Sequence, residues 1–542
     1  MAGGGVCLAM EFPEQFNIAE QLVDGPARLH AGRVAIAGEP RAVTYGELAG
    51  MVNRAGNALR GMGVGRGERV LIVLPDSAEF FAAFLGAAKI GAVAVPVNPF
   101  ARAADYAHYA GDCRPRVAVV HSESLGEFLS ASGARAEMRI VVVGEESAET
   151  GGVRCLRWSE WMGAASEKLE AAGTGPRDSA FFLYTSGSGG KPKAAVHQHK
   201  DMLVTSRNYA QGVLGLRAED VIFSVSKLFF AYGMGNGMTF PLAAGARVVV
   251  NPARTKVEEI LELVRKHKPT VFFSVPSVYA GILAAAEKEE GIAEFGSVRL
   301  AVSAGESLPA EIFERFRERF GVEILDGIGS TEMLHVFLSS RAGKAVAGSC
   351  GAAVPGYEAR IVDEEGRTVG TGEIGNLWVR GESAFAEYWG NAELTARVKR
   401  EAEGESGGEK WVVTGDKFTC DAGGNYFYCG RADDMLKVMG MWVSPTEVEN
   451  ALLGHPEVAE AAVVAAGDEQ GLTYARAFVV LREAGKACGE LAAEIRGHAR
   501  ARLVSYKTPR EIRFVGELPK TATGKIQRYK LRGQEGGQGE GR

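Results

Sequence analysis

Residues Arg69 to Pro96 read RVLIVLPDSAEFFAAFLGAAKIGAVAVP. Val70 to Leu74 form an apolar run of strand length with no helical period. Pro75, Asp76 and Ser77 then punctuate a helix start, and apolar residues recur at helical spacing to about Ile90. A second apolar run, Ala92 to Val95, follows at once. Strand, helix and strand in this order make a βαβ unit, whose two strands lie parallel under the helix that joins them.

Outward from this unit the pattern repeats. Runs rich in Val, Ile and Phe begin at Arg116, Arg139, Asp220, Ala246, Thr270 and Arg299, and most are separated by stretches of helical period. Strands buried on both faces need continuous apolar runs, so helix-covered, mostly parallel sheets are expected. After about Gly351 the runs become shorter and alternate (EARIVD, NLWVRG, KWVVTGD, NYFYCGR), which predicts antiparallel sheet or a barrel-like section. Strand texture stops at the polar turn Gly430 to Asp434. Beyond it Ser444 and Pro445 make a helix cap ahead of TEVENALLGH. The expected fold class is therefore α/β: a large N-terminal domain over 1–430 and a small α+β domain over 431–542.

The chain of 542 residues has 46% apolar and 24% charged residues and a formal net charge of -6. That is the composition of a soluble globular protein, and it argues against a nucleic-acid partner. No window approaches the ~18 apolar residues of a membrane span, and residues 1–10 lack a secretory signal, so a cytoplasmic location is expected. The seven cysteines are scattered without a CxxC pair, which indicates neither a disulfide framework nor a zinc site.

Tyr184 to Lys193, YTSGSGGKPK, follows the apolar run AFFL. Gly187, Gly189 and Gly190 let backbone N–H groups turn towards a phosphate; Thr185, Ser186 and Ser188 add hydroxyls, and Lys191 and Lys193 add charge. The spacing is not GxxxxGK[ST], so the P-loop fold is not implied. Alone, the stretch is equally a Gly/Ser-rich surface turn. It has company in chain order: SAGESL from Ser303, DGIGSTE from Asp326 to Glu332, TGD at Thr414 to Asp416, GRADDMLK from Gly430 to Lys437, and PKTATGK ending at Lys525.

This ordered set resembles the adenylate-forming superfamily of acyl- and aryl-CoA synthetases, peptide-synthetase adenylation domains and luciferases, from about Phe16 to Arg532. The resemblance implies ATP, Mg²⁺ and CoA as cofactors and an acid activated by attack on the α-phosphate, a reaction between anions that needs concentrated positive charge. It assigns the loop from Thr185 to Lys193 to the phosphates, Glu332 to Mg²⁺, and Lys525 to catalysis of adenylation. Ser303, Ala304, Gly305 and Glu306, with Asp326 and Gly327, would wall the adenine slot, and Ile328, Ser330 and Thr331 would also belong to the cofactor site. Asp416 and Arg431 would hold the ribose, although a TGD triplet is also an ordinary turn. In this superfamily the C-terminal domain is mobile; Asp433 falls on the hinge position, and Lys437, Gly440 and Trp442 would face the thiol of CoA after the swing. Gly440 also suits a plain turn.

Lys227 to Ala246, KLFFAYGMGNGMTFPLAAGA, and MLHVF after Glu332 resemble the benzoate-CoA ligase branch. That places Phe230 as a gate and Ala231, Tyr232, Ala304, Gly329, His335 and Val336 around a small aromatic acid, though FFAYG also suits plain core. Gly189 and Ala194 depart from the family's usual hydroxyl and glycine, leaving one potential phosphate donor fewer. Loading of a carrier protein, and a nucleotide-binding homologue weakened in catalysis, stay open as alternatives. A homodimer and a lysine-acylating regulator acting at Lys525 are further expectations.

Overall fold

The computed structural model describes all residues except 1–9, 39, 133–137, 145–148, 151–152, 186–190, 254–255, 289–294, 403–408, 439–440, 469–472, 521–525 and 533–542. The βαβ unit is built as read. Strand Arg69–Val73 pairs in parallel with Val93–Pro96, and helix Ala78–Lys89 joins them, its first turn capped by the Ser77 hydroxyl on Phe80 N.

Two large sheets form around this pattern. One has seven strands: Lys193–Gln198, Ser179–Thr185, Val93–Pro96, Arg69–Val73, Val117–His121, Arg139–Val143 and Leu156–Arg157. All its neighbours are parallel except the edge pair Ser179–Thr185 and Lys193–Gln198. The other has nine strands, and its centre runs in parallel through Ile324–Gly329, Leu300–Ser303, Val271–Ser274, Val221–Ser224, Arg247–Val249 and Val34–Ala37. The continuous apolar runs are what a sheet covered on both faces requires, and Val70 to Val73 are wholly buried.

The antiparallel section after Gly351 contains Tyr357–Val362, Gly375–Gly381, Lys399–Arg400, Trp411–Cys420 and Tyr426–Arg431. Farther on, Val458–Gly467, Thr473–Leu481 and Glu511–Phe514 form a separate three-stranded sheet. Helices Pro445–Leu453 and Gly489–Arg500 share an apolar cluster with it that includes Val448, Leu452, Val463, Val479 and Ile495. Ser444 caps the first of these helices on Glu447 N with Pro445 in the first turn, as its sequence demanded. Among the described residues no helix is long and apolar enough to cross a membrane.

One buried link ties the two large sheets together beside the site. Asp76, at the end of the first βαβ strand, accepts from Leu228 N at 2.9 Å through Oδ1, and its Oδ2 lies 3.7 Å from Lys227 Nζ. Burial raises the Asp76 carboxyl and lowers the Lys227 ammonium, each opposed by the partner's charge.

Candidate active site

The phosphate-loop sequence closes an antiparallel hairpin, with Thr185 and Lys193 as partners across its mouth. Neither strand leads into a helix at that end, which is why the P-loop spacing is absent. Ser186, Gly187, Ser188, Gly189 and Gly190 lie outside the described residues, as do Gly440 and Lys525. Lys191 is exposed, and the carbonyl of Pro192 accepts from His108 Nε2 at 2.7 Å. Lys193 places its ammonium 5.2 Å from the centre of the Tyr388 ring, a cation–π contact.

Tyr388 connects that lysine to Glu332. Its hydroxyl donates to Glu332 Oε1 at 2.6 Å, and burial raises the phenol far above its ordinary range, so it stays a donor. Glu332 stands in the turn after strand Ile324–Gly329, half-buried rather than at the start of a helix. Its backbone carbonyl accepts from Phe385 N at 2.7 Å. Among the described residues no group of three His, Cys, Asp or Glu side chains is arranged to hold a metal. A single carboxylate with one oxygen committed to Tyr388 fits a magnesium ion that arrives with phosphates and waters.

Ser303 and Asp326 are partners on adjacent parallel strands, which brings the two halves of the expected adenine slot side by side. Ala304 is buried and the exposed Gly305 has φ +94°, a backbone state that suits glycine. Glu306 is half-buried. Asp326 is nearly buried, and desolvation pushes its carboxyl up to about 8 against the hydrogen bond from Gly327. Gly327, Ile328, Ser330 and Thr331 continue the same edge, with Ser330 Oγ accepting from Met333 N at 3.2 Å.

TGD is not a turn. Thr414, Gly415 and Asp416 lie within strand Trp411–Cys420, and Gly415, at φ +75°, bends it. Asp416 is buried and pairs with Arg431 across the sheet at 2.9 Å. Asp433 is exposed in the single turn Ala432–Asp434, and its carbonyl accepts from Arg532 Nη2 at 3.1 Å. Lys437 and Trp442 sit on the hairpin Leu436–Val438 and Met441–Val443. The Trp442 ring has Lys437 Nζ 5.6 Å and Lys417 Nζ 5.8 Å from its centre.

The residues expected to line an aryl pocket gather around one helical passage. Phe230 precedes helix Ala231–Met234, which continues as a π-helical turn, Gly235–Thr239, and as helix Phe240–Ala244. A glycine-rich run makes a poor helix alone, but here each glycine meets a neighbour at close range. A Cβ at Gly235 would collide with the His335 ring, one at Gly233 with the Lys227 carbonyl, and one at Gly237 would lie 2.8 Å from Leu228 Cδ2. His335 is buried against Phe240, Tyr232 and Tyr209, with ring centres 4.5, 5.4 and 5.4 Å away. Its Nε2 meets Asn236 Oδ1 at 3.1 Å and the Tyr232 carbonyl at 3.3 Å, and desolvation lowers its pKa to about 3, so the imidazole is neutral. Val336 is buried beside it, and a Cβ at Gly329 would strike the His335 backbone.

The profile of the AMP-binding enzyme family matches residues 24–389, and that of the AMP-binding enzyme C-terminal domain matches 447–525. The chain belongs to the AMP-binding enzyme family. This AMP-binding enzyme is 44% identical to the benzoate–CoA ligase of Thauera aromatica over 97% of each chain. Its structure is similar to that of the anthranilate CoA ligase AuaEII in complex with anthranoyl-AMP, at TM-score 0.90 and 40% identity, covering 96% of this chain and 98% of the other. A benzoate CoA ligase from Burkholderia xenovorans LB400 follows at TM-score 0.86 and 41% identity, covering 95% and 100%.

Sequence reasoning about this AMP-binding enzyme missed Tyr388, Asp76, Asn236 and Lys417. Tyr388 lies in FAEYWG, a stretch with no recognisable motif, 56 positions from the glutamate it holds. Nothing local marks such a partner. The Asp76 contact had no local signal either, since the N–H it accepts from belongs to Leu228, 152 positions away.

Proposed function

We propose that the chain is an AMP-forming aryl acid–CoA ligase acting on benzoate or a close analogue. In the first step the acid's carboxylate oxygen attacks the α-phosphorus of ATP, and the bond to pyrophosphate breaks. In the second, the CoA sulfur attacks the acyl carbon, AMP leaves with the bonding pair, and the thiol proton goes to solvent. Bound Mg²⁺ would neutralise phosphate charge, with Glu332 as its protein ligand.

What supports this reading is the junction of Lys193, Tyr388 and Glu332. It sets an ammonium from the hairpin over the ring, and a carboxylate with one oxygen committed to the hydroxyl, of a single phenol. A phosphate chain carrying a divalent cation needs that alternation of charge. Asp416 would accept from the ribose hydroxyls, while Arg431 holds the carboxylate in place. Lys525 would bring an ammonium to the reacting oxygens, which orients two anions for attack. Rotation about Asp433, between domains bounded near residue 430, would then withdraw Lys525 and present the hairpin of Lys437, Gly440 and Trp442 to CoA. The passage from Phe230 to Tyr232, with Ala304, Gly329, His335 and Val336, would receive the ring: its walls are aromatic or small and its histidine is uncharged, which suits a planar apolar ring.

The deciding experiment is a panel of acids with ATP, run with CoA and without acceptor, following AMP, pyrophosphate and thioester. Benzoate-class acids should lead in kcat/KM. A tenfold advantage for hexanoate or a longer fatty acid would end the aryl assignment.

A further inference from the structure

His197 reaches the turn of Glu332 from behind. It lies in strand Lys193–Gln198, is fully buried, and stacks on Phe181 with ring centres 5.1 Å apart and planes 16° from parallel. Its Nε2 is 2.8 Å from the Thr331 carbonyl oxygen, and because a carbonyl only accepts, Nε2 is the donor. Its Nδ1 is 2.9 Å from Asp201 Oδ2. Asp201 is fully buried too, and also accepts from Gln198 N at 2.9 Å and Lys200 Nζ at 3.2 Å. Lys200 in turn donates to the Glu382 carbonyl. The imidazole is therefore held in one orientation by a carboxylate that is itself held from two sides.

What that imidazole grips is the peptide between Thr331 and Glu332. Its carbonyl also accepts from Leu334 N at 3.1 Å, closing the turn. Because a peptide is planar, fixing the direction of its C=O fixes the plane from which the next Cα departs. The Glu332 side chain inherits that direction, and Tyr388 fixes its far end. The strand that carries His197 begins at Lys193, so one short rigid element spans the phosphate hairpin and the carboxylate turn.

We propose that His197, aligned by Asp201, is a positioning residue for the adenylation half-reaction, holding the Thr331 carbonyl so that Glu332 faces magnesium–ATP. The inference rests on the role given to Glu332 above. A purely structural histidine stands two residues away as a comparison: His199 is equally buried, and its Nδ1 accepts from Ile18 N at 3.2 Å, a hydrogen bond that leads away from the Glu332 turn.

The test separates the half-reactions in the full-length chain. Acyl-adenylate formation is followed as pyrophosphate release from benzoate and ATP across a magnesium series, and thioester formation is followed from synthetic benzoyl-adenylate and CoA. His197→Ala should slow the first by about 30-fold and raise the magnesium needed for half-maximal rate, leaving the second within about threefold. His197→Asn, whose amide retains a donor, should recover part of the loss. His199→Asn should lower thermal stability while keeping adenylation. Equal loss in both half-reactions, or equal slowing of adenylation by His199→Asn, would overturn the proposal. Should His197→Ala not fold, Asp201→Asn decides: it must show the same split, and normal adenylation in that variant sinks the idea. Glu332→Gln is run alongside. Normal adenylation there removes the role of Glu332 itself, whereas loss there with normal His197 variants removes only this inference.

Discussion

Asp416 and Arg431 face each other across two antiparallel strands, and the guanidinium donates from Nη1 to Asp416 Oδ1 at 2.9 Å and to the Thr414 carbonyl at 3.2 Å. The arginine is the last residue before the single turn that contains Asp433. The carboxylate proposed to hold the ribose is thus aimed by the residue at the exit from the antiparallel section, so the proposed ribose contact and the start of the C-terminal segment would share one ion pair.

That relationship sets the first expectation. Asp416→Ala should reduce kcat/KM for ATP by roughly 10- to 100-fold, in line with about 1.5–3 kcal/mol for a hydrogen bond to a charged group. It should also erase discrimination between ATP and 2′-deoxy-ATP. If the variant still prefers ATP as strongly as the wild type does, the ribose contact lies elsewhere.

Tyr388→Phe removes one donor without changing shape, leaving Glu332 without its phenol. Adenylation should fall about 5- to 30-fold, about 1–2 kcal/mol, with a higher magnesium requirement. The check is a magnesium titration of pyrophosphate release, and an unchanged curve would detach Tyr388 from the site.

Lys525→Ala is expected to nearly abolish acyl-adenylate formation while thioester formation from pre-made adenylate survives. Asp433→Pro, which locks φ and removes a donor, should do the reverse by trapping one orientation. Measuring both half-reactions in both variants is the test: parallel losses would contradict an alternating arrangement.

At Gly235 even a methyl group collides with the His335 ring. Gly235→Ala should cost about 1–3 kcal/mol of stability through overpacking and lower kcat/KM for benzoate. His335→Ala should act the opposite way on shape, favouring bulkier ring substituents by about 1–3 kcal/mol in the ratio of specificities. A substrate panel with thermal melts reads both effects. An unchanged order of preference in both variants would remove His335 from the pocket.

The neutral, buried His335 also predicts a pH effect on stability. Its folded pKa of about 3 lies below the unfolded value of 6.5, so between those values the unfolded chain binds the extra proton. Stability from this group is therefore complete above pH 6.5 and declines as pH falls towards 3, by up to about 1.4 kcal/mol per unit. His335→Gln should flatten the fall in melting temperature between pH 6.5 and 4.5. A slope identical to that of the wild type would show that His335 does not carry it.

Much of this enzyme is written locally. The alternation of apolar runs with helical stretches dictated the helix-covered sheets, because a strand sandwiched between helices cannot tolerate polar residues on either face. Ser77 and Ser444 announced their helices because a cap is a contact between residues three apart. The glycine-rich passage from Gly233 to Gly237 did not announce its helix, since its stability comes from surfaces packed so closely that a side chain would not fit. TGD was legible as the end of the strand run KWVVTGD, but nothing local told that Asp416 would pair with Arg431, in the following strand.

The site divides along the same line. Chemical types came from the sequence: a lysine- and hydroxyl-bearing loop, an acid in GSTE, and an acid in TGD were legible because each motif keeps its members within a few residues. What aims them was not. Glu332 is held by Tyr388 at its carboxylate and by His197 at the preceding peptide, residues 56 positions ahead and 135 behind. Local spacing carries no trace of such partners, because a hydrogen bond depends on where two distant strands come to lie after packing. The sequence by itself determined which reactive groups are present and in what order. Tertiary structure alone decided which direction they face, since direction is set by contacts that exist only once the sheets have closed on each other.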